Sequence, residues 1–546
     1  MPNEVIVIGS GATGGVAALS FAEAGIKVLV VEAGPNLSLK QAIGSEPSNT
    51  LKRLHGLINR RNSIQAQHPG YWKTNPHLYI DEREHPYTFP AEKPFIWTRG
   101  MQVGGRSLTW GGITLRLSDY EFKASRNDGI GLDWPISYKD LSDHYDYLEK
   151  LLKVHGNNDH LEQLPDGKQL KAFPFTKSEL LFKEKLISSL NYPFIHSRGF
   201  GPYQYSKDKE WPISSSIGST LKTAINTGNV ELLPNHMVEK IMMNKDQNSA
   251  SGVILIDQSN GKRVKIEAKL IVLCASTIQS IKILLNSKET EEPNGLIDPS
   301  NSIGNYLMDH VSTCRFFRTD NNEAQNNSDF QKQILSGAGS FFIPFGTNFK
   351  YKHSQPFKRG YGIWGGIDRF GLPKCINKEP NSVIGFLIAH GEVLPSSSNK
   401  VSLSTKVDRF DSRIPHIDFQ WSENEINMVK NMNQNIQEII ESSDGEMLPI
   451  EDLINAPFLN IIAKKSLALG EEAPPPGYYI HEVGGARMGT NEKNSVLDPW
   501  NRLWRCKNVL VTDGSCWPSS GWQSPTLTMM AITRRACMKA IDSLKE

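Results

Sequence analysis

The chain has 546 residues, enough for two to four domains at roughly 100–200 residues each and for a core that needs no staples. Lys and Arg number 60 against 58 Asp and Glu, a net charge of +2 without a sustained basic run, which argues against nucleic acid or an anionic membrane as partner. No apolar run approaches the roughly 18–20 residues of a membrane span.

The six cysteines, Cys274, Cys314, Cys375, Cys506, Cys516 and Cys537, form no Cys-x-x-Cys pair and read as reduced or buried thiols in a reducing compartment. A strand and a glycine turn occupy the first ten residues and leave no room for a secretory leader, so the expected location is the cytoplasm. Export bound to a leader-bearing partner subunit would leave the same sequence.

In chain order, Glu4–Ile8 reads as a short apolar strand, Thr13–Ala24 as a helix of small residues ended by Gly25, and Lys27–Val31 as the next strand. Together they form a βαβ unit of about 30 residues. Residues 36–94 are polar and rich in Pro and Asn, with a weak helical pattern near Leu51–Ile64, and read as an excursion rather than core. Ser137–Val154 is helical. Ser251–Asp257 and Arg263–Glu267 read as a hairpin about Ser259-Asn260-Gly261, followed by a buried strand Ile271–Cys274 and a helix Ile278–Asn286. Alternation such as Val401-Ser402-Leu403-Ser404 in 335–420 predicts an antiparallel sheet. Glu423–Ser442 is a helix, Val509–Thr512 a strand and Thr526–Leu544 the last helix.

Gly9-Ser10-Gly11-Ala12-Thr13-Gly14 fits G-x-G-x-x-G between strand and helix. Gly9 permits the tight turn, Gly11 lets backbone approach a pyrophosphate, and Gly14 lets helix and strand pack closely. The start of that helix offers free N–H groups and a positive dipole to phosphate, which makes Ala12, just before it, a cofactor-binding residue with Gly9, Gly11 and Gly14. Glu32 ends the second strand 18 residues after Gly14, where a carboxylate suits a ribose diol and disfavours a 2′-phosphate. With Ala33-Gly34 after it, the pattern favours FAD.

Near the other end, His481 opens a glycine-rich loop that is not a zinc motif, because position 485 is Gly. A strand ends in Asp513-Gly514-Ser515, and Ser524-Pro525-Thr526 reads as a helix start with Ser at the N-cap and Pro at N1. These blocks, with Arg99-Gly100-Met101-Gln102-Val103-Gly104-Gly105-Arg106-Ser107, Asp133–Tyr138 and Gly304–His310, resemble the glucose–methanol–choline (GMC) flavoprotein oxidoreductases, closest to bacterial sugar and polyol dehydrogenases and pyranose oxidase. Residues 311–470 match only loosely.

The resemblance implies an α/β fold, α+β overall: a Rossmann-like FAD-binding domain from 1–310 and 481–546, residues 36–94 lying over the cofactor, and an antiparallel-sheet substrate domain from 311–480. It implies that His481 is the active-site base beside the flavin. Ser524 falls where the family carries Asn or a second His, with Gln523 as the alternative partner. Gly104, Gly105 and Ser107 become flavin-contacting turn residues, Val238 a backbone contact to adenine, and Asp513, Pro525 and Thr526 cofactor neighbours. Thr109 falls where some relatives carry a flavin-linked histidine, so the FAD is expected to be non-covalent. No metal is implied.

The chemistry suits these residues. Oxidising an alcohol removes a hydride from carbon and a proton from the hydroxyl, and His is the unperturbed side chain nearest neutrality. A helix starting at Pro525-Thr526 would favour charge on the reduced flavin by roughly 0.3–2 kcal/mol. The expected function is oxidation of a hydroxyl on a sugar, glycoside, polyol or cyclitol, passing electrons to an unknown acceptor, with a small partner subunit allowed. The alternatives are an oxidase using oxygen, a non-redox lyase on the same scaffold, and a non-enzymatic FAD-binding protein. Individual residues also admit plainer roles: a structural His481, a Ser524 that only caps a helix, a structural Arg487, and core positions for Trp97 and Trp110.

Overall fold

The computed structural model describes residues 3–201, 209–245, 247–288, 295–320, 340–346, 356–369, 382–449 and 472–545. Cys375 and parts of the 311–480 stretch lie outside the described residues. The five described cysteines are free and buried. Among the described residues no helix is long and apolar enough to cross a membrane.

The fold is mixed α/β. Strand β1 (Asn3–Ile8) turns into helix α1 (Ala12–Glu23), and β2 (Val28–Val31) returns beside β1. Helix α2 (Tyr138–Leu151) follows the excursion, then β3 (Val230–Leu233), β4 (His236–Met243), β5 (Ala250–Asp257), β6 (Arg263–Leu273) and helix α3 (Thr277–Lys288). The second half supplies β7 (Val311–Asp320), β8 (Phe341–Gly346), β9 (Gly360–Ile367), β10 (Ser382–Gly391), β11 (Lys400–Val407) and β12 (Arg413–Asp418). Helix α4 (Glu423–Ser442), β13 (Gly445–Leu448), β14 (Arg502–Leu503), β15 (Cys506–Val511) and helix α5 (Thr526–Lys545) complete the set.

Two sheets organise these elements. In the first, the order is β14-β15-β6-β1-β2-β3, with β4 and β5 joined to β6 as an antiparallel hairpin. The pairs β1–β2, β1–β6, β15–β6 and β2–β3 are parallel. Such strands are buried on both faces, which is why Val5–Ile8, Val28–Val31 and Leu270–Leu273 are unbroken apolar runs rather than alternating ones. Helix α1 is buried on most sides, and its small residues allow close neighbours: a Cβ on Gly15 would lie 2.3 Å from Thr220 Oγ1.

The second sheet is antiparallel in the order β13-β7-β10-β9-β8, extended by the short strand Ile195–His196. Helix α4 carries a buried face of Met428, Met432, Ile436, Ile439 and Ile440 in the same core cluster as β7, β9 and β10. The alternation at 401–404 does make a strand, and β11 pairs with β12 in a separate two-stranded sheet.

The excursion holds a helix at Glu46–Ile58, earlier than the pattern at 51–64 suggests. It packs inside out. Arg53 and Asn49 are buried, bonded to Glu46, Thr74 O and Ile43 O, while Leu51 and Ile58 are 69% and 81% exposed. Polar partners across the turn, not apolar burial, orient this helix.

Candidate active site

The three glycines of the first turn meet three different constraints. Gly9 has φ +99°, and a Cβ there would sit 2.3 Å from the Cys274 carbonyl oxygen. A Cβ on Gly14 would lie 1.9 Å from the Gly9 carbonyl oxygen, so helix and strand could not approach as they do. At Gly11 the nearest atom to such a Cβ is Gly104 O at 3.9 Å, so that backbone faces open space. This open backbone, at the amide-bearing start of α1, fits a bound pyrophosphate.

Glu32 is buried, and burial raises its pKa against the opposing hydrogen bonds. Its Oε2 accepts from Ser10 N at 3.1 Å and Ser10 Oγ at 2.6 Å, and its Oε1 from Gly34 N at 3.0 Å. A carboxylate has about four lone-pair sites, so acceptor capacity for a ribose diol remains. Val238 is near this end of the sheet: His236 N, at the start of β4, donates to Glu32 O at 3.0 Å. The Val238 side chain itself is buried, and the β4–β5 register shifts just after it.

The Gly104–Ser107 turn docks on the glycine loop. Gly104 N donates to Ser10 Oγ at 3.0 Å, Ser107 Oγ donates to Gly104 O at 2.6 Å, and a Cβ on Gly105 would sit 3.3 Å from Gly11 Cα. Ser216 adds a second clamp, donating from N to Ser107 Oγ at 2.9 Å and from Oγ to Ser10 O at 2.7 Å. A small hydroxyl-rich cleft lies here, lined by Ala12, Ser107, Trp110, Ser214, Ser216 and Ser219 among others. Sequence reasoning passed over these serines, although the run Ser214-Ser215-Ser216 signals them. Thr109 Oγ1 donates to Arg106 O at 3.3 Å.

The C-terminal blocks join the same region through β15. Thr512 N donates to Leu273 O, and Asp513 follows, buried. Asp513 accepts from Ser280 Oγ at 2.5 Å and from Ser515 N and Oγ at 3.0 and 2.6 Å, so its carboxylate ties α3 to the turn Gly514–Cys516. The loop after His481 lies alongside: Gly484, Ala486 and Met488 donate to the carbonyls of Gly514, Ser515 and Cys516.

His481 is held from several directions. Ile480 before it has φ +67°, which β-branched residues rarely adopt. Asp309 secures the bend, accepting from His481 N and Gly477 N at 2.9 Å each. Burial and the neighbouring Glu482 carboxylate push the Asp309 carboxyl up to about 7. Glu482 pairs with Arg106 at 2.7 Å, linking this loop to the Gly104–Ser107 turn. The His481 ring meets His310 at 2.9 Å, Nδ1 to Nδ1, and His310 Nε2 meets Gly521 O at 2.5 Å. His390 lies beyond, bonded through Nδ1 to Tyr479 Oη at 2.9 Å, which also accepts from Trp364 Nε1. Burial lowers His310 to about 4. Burial, and then His310, His390 and Arg106, hold His481 well below its ordinary value. His310 and His390 are buried, whereas His481 retains some exposure. Among the described residues no set of three His, Cys, Asp or Glu side chains could hold a metal ion.

The helix-start expectation needs correction. Helix α5 begins at Thr526, and Pro525 O accepts the first intrahelical bond, from Met529 N at 2.9 Å, so Pro525 and not Ser524 occupies the N-cap. Ser524 is buried just outside the helix. Gln523 is buried too, its Nε2 donating to Gln163 O at 3.1 Å. Asp309, His310, His390 and Tyr479 had no assigned role in the sequence reading.

Models of the GMC oxidoreductase family match residues 3–312 and 395–533. The chain is 25% identical to a 2-methyl-1,2-propanediol dehydrogenase of Mycolicibacterium austroafricanum, covering 98% of this chain and 94% of that one. It is 25% identical to the fructose dehydrogenase large subunit of Gluconobacter japonicus, covering 100% and 98%. A formate oxidase of Aspergillus oryzae, solved in work on FAD modification, superposes with a TM-score of 0.63 at 15% identity, covering 100% of this chain and 99% of that one. The glycine loop with its open approach at Gly11, and the paired sheets behind it, are thus those of a flavoprotein whose cofactor is FAD, and the chain belongs to the GMC oxidoreductase family.

Proposed function

We propose that the protein oxidises a hydroxyl-bearing carbon of a sugar, glycoside, polyol or cyclitol, with His481 as general base. The carrying observation is that, of the three clustered histidines, His481 alone keeps some exposure, while its surroundings hold it neutral. A neutral imidazole can accept the hydroxyl proton. FAD, when bound, supplies the acceptor for the hydride. Gly9–Gly14, Glu32 and the Gly104–Ser107 turn would hold it. Asp309 and Glu482 orient the His481 backbone and Arg106, and Ser524, with Gln523 as its alternative, is the second partner in the reaction. The relatives named for a diol and for fructose support a polyol or sugar as substrate.

Residues 1–310 and 481–546 form the FAD domain and 311–480 the substrate domain; the parallel sheet shared by β1, β6 and β15 supports this, although Ile195–His196 crosses to the second sheet. A further subunit is supported by the relative named as a large subunit. The FAD is held without a covalent bond, because Thr109 offers no imidazole. Acid precipitation should leave the flavin in the supernatant; flavin kept in the washed pellet would overturn this.

The main test is anaerobic flavin reduction followed by rapid mixing. A positioned base contributes typically 10²–10⁴-fold, so His481→Ala should slow reduction by about that factor with FAD retained. Reduction at the wild-type rate would remove His481 from the chemistry. Hydrogen peroxide yield then separates an oxidase from a dehydrogenase.

A further inference from the structure

We infer that His310 is a positioning residue that fixes His481 in a single tautomer, with the proton on Nδ1 and the lone pair on Nε2. The inference rests on the reading of His481 as the base.

The backbone brings the two rings together first. Met308 and Val483 exchange both backbone hydrogen bonds, at 2.8 and 2.9 Å. In an antiparallel pair the register runs in opposite directions on the two strands, so 308 opposite 483 sets 310 opposite 481. The Asp309 carboxylate takes the His481 N–H that the ladder leaves without a carbonyl. The ring contact is therefore built into the chain path and not left to rotamer chance.

The proton inventory follows from the acceptors. Gly521 O can only accept, so the 2.5 Å contact requires a proton on His310 Nε2. A neutral imidazole has one N–H, and burial keeps His310 neutral, so its Nδ1 carries a lone pair. The 2.9 Å contact between the two Nδ1 atoms then needs its proton from His481. A neutral His481 with Nδ1–H exposes its lone pair at Nε2. The order of donation is His481 Nδ1–H to His310 Nδ1, then His310 Nε2–H to Gly521 O.

The same chain accommodates the reaction. When a hydroxyl proton arrives at His481 Nε2, the ring becomes imidazolium and its Nδ1–H bond to His310 becomes charge-assisted, and so stronger. Among the described residues no carboxylate hydrogen-bonds to the His481 ring: Asp309 is engaged by backbone N–H groups and Glu482 by Arg106. His310 thus orients the base without the large rise in basicity that a carboxylate partner would bring.

The direct test is the protonation pattern of the side chains. In protein labelled with nitrogen-15 histidine, correlations between ring nitrogens and ring hydrogens report which nitrogen carries the proton, and the His481→Gln variant identifies the His481 signals. The expectation is Nδ1–H on His481 and Nε2–H on His310; an Nε2-protonated His481 overturns the inference, even if no variant of His310 folds. Kinetics give the second readout, with 2-methyl-1,2-propanediol and D-fructose as probes. Partners that orient a metal-bound imidazole are worth about 10–100-fold; taking the same range for a base, His310→Leu should lower the limiting rate of flavin reduction by that factor with half-saturation unchanged, and His310→Asn, which restores an amide oxygen acceptor, should recover most of it. A His310→Leu enzyme as fast as wild type, beside a slow His481→Ala, refutes the positioning role alone. A fast His481→Ala refutes the base itself, while the spectra still decide the tautomer.

Discussion

Gly11→Ala separates what the first turn does for the protein from what it does for the cofactor. Gly11 has φ −69° and ψ −159°, extended backbone that alanine adopts freely, and its new Cβ would meet nothing nearer than Gly104 O at 3.9 Å. The apoprotein should therefore gain about 0.4–1 kcal/mol, because alanine restricts the unfolded chain more than glycine. The methyl would instead occupy the space into which the pyrophosphate comes. Inserting a methyl into a close contact costs about 1–3 kcal/mol, or roughly 5- to 150-fold in FAD affinity. Gly14→Ala is the contrast: a Cβ 1.9 Å from the Gly9 carbonyl oxygen, which is backbone, forces α1 away from β1 and should cost folding and binding together. Urea denaturation of the apoproteins and FAD titration by flavin fluorescence read the two effects. A Gly11→Ala protein that binds FAD with wild-type affinity would show that the phosphates do not pass over this residue.

Two further outcomes follow from the site. Because burial, and then the neighbouring His310, His390 and Arg106, lower the His481 pKa well below 6.5, the neutral base persists as pH falls. Asp309, pushed up to about 7, titrates in this range, so it is in an Asp309→Asn variant that the rate of flavin reduction should stay level from pH 8 to 6.5 and decline only below that; an acid limb centred at or above 6.5 in that variant would contradict the assignment. Ser524→Ala should change stability little, since Ser524 caps no helix, whereas Thr176→Ala removes a capping box with Glu179 and a bond to Ile367 O and should cost about 1 kcal/mol; equal losses on urea denaturation would restore Ser524 as a cap.

Local patterns carried the parallel sheet well. Helix α4 matches the sequence reading end to end, and β1, α1, β2 and the β5–β6 hairpin lie within a few residues of it. These elements have apolar periods or turn residues written into contiguous sequence. The inside-out helix at 46–58 was not legible in the same way, because its orientation comes from Arg53 and Asn49 finding distant carbonyls. The histidine cluster was hidden for a similar reason. His310 and His481 were both in noted segments, but 171 residues separate them, and it takes the Met308–Val483 pairing and the Asp309 bond to His481 N to bring them together. His390 sits in a strand whose neighbours give no chemical signal.

The position of β15 has a consequence for biosynthesis. The Ile271–Leu273 edge of β6 is completed by Val509–Val511, and Ala536, Cys537 and Ile541 of α5 join Ala17, Ala18 and Phe21 in one apolar cluster. During translation at about 5–20 residues per second, that edge and that cluster stay open for roughly 10–50 s while the intervening segment is made. An unpaired strand edge beside exposed apolar surface is a template for misassembly. The nascent chain should therefore depend on holdase protection until its last helix emerges. A ribosome stalled before residue 506 would present an incomplete inner sheet, a target for quality control, and not a finished domain lacking a tail.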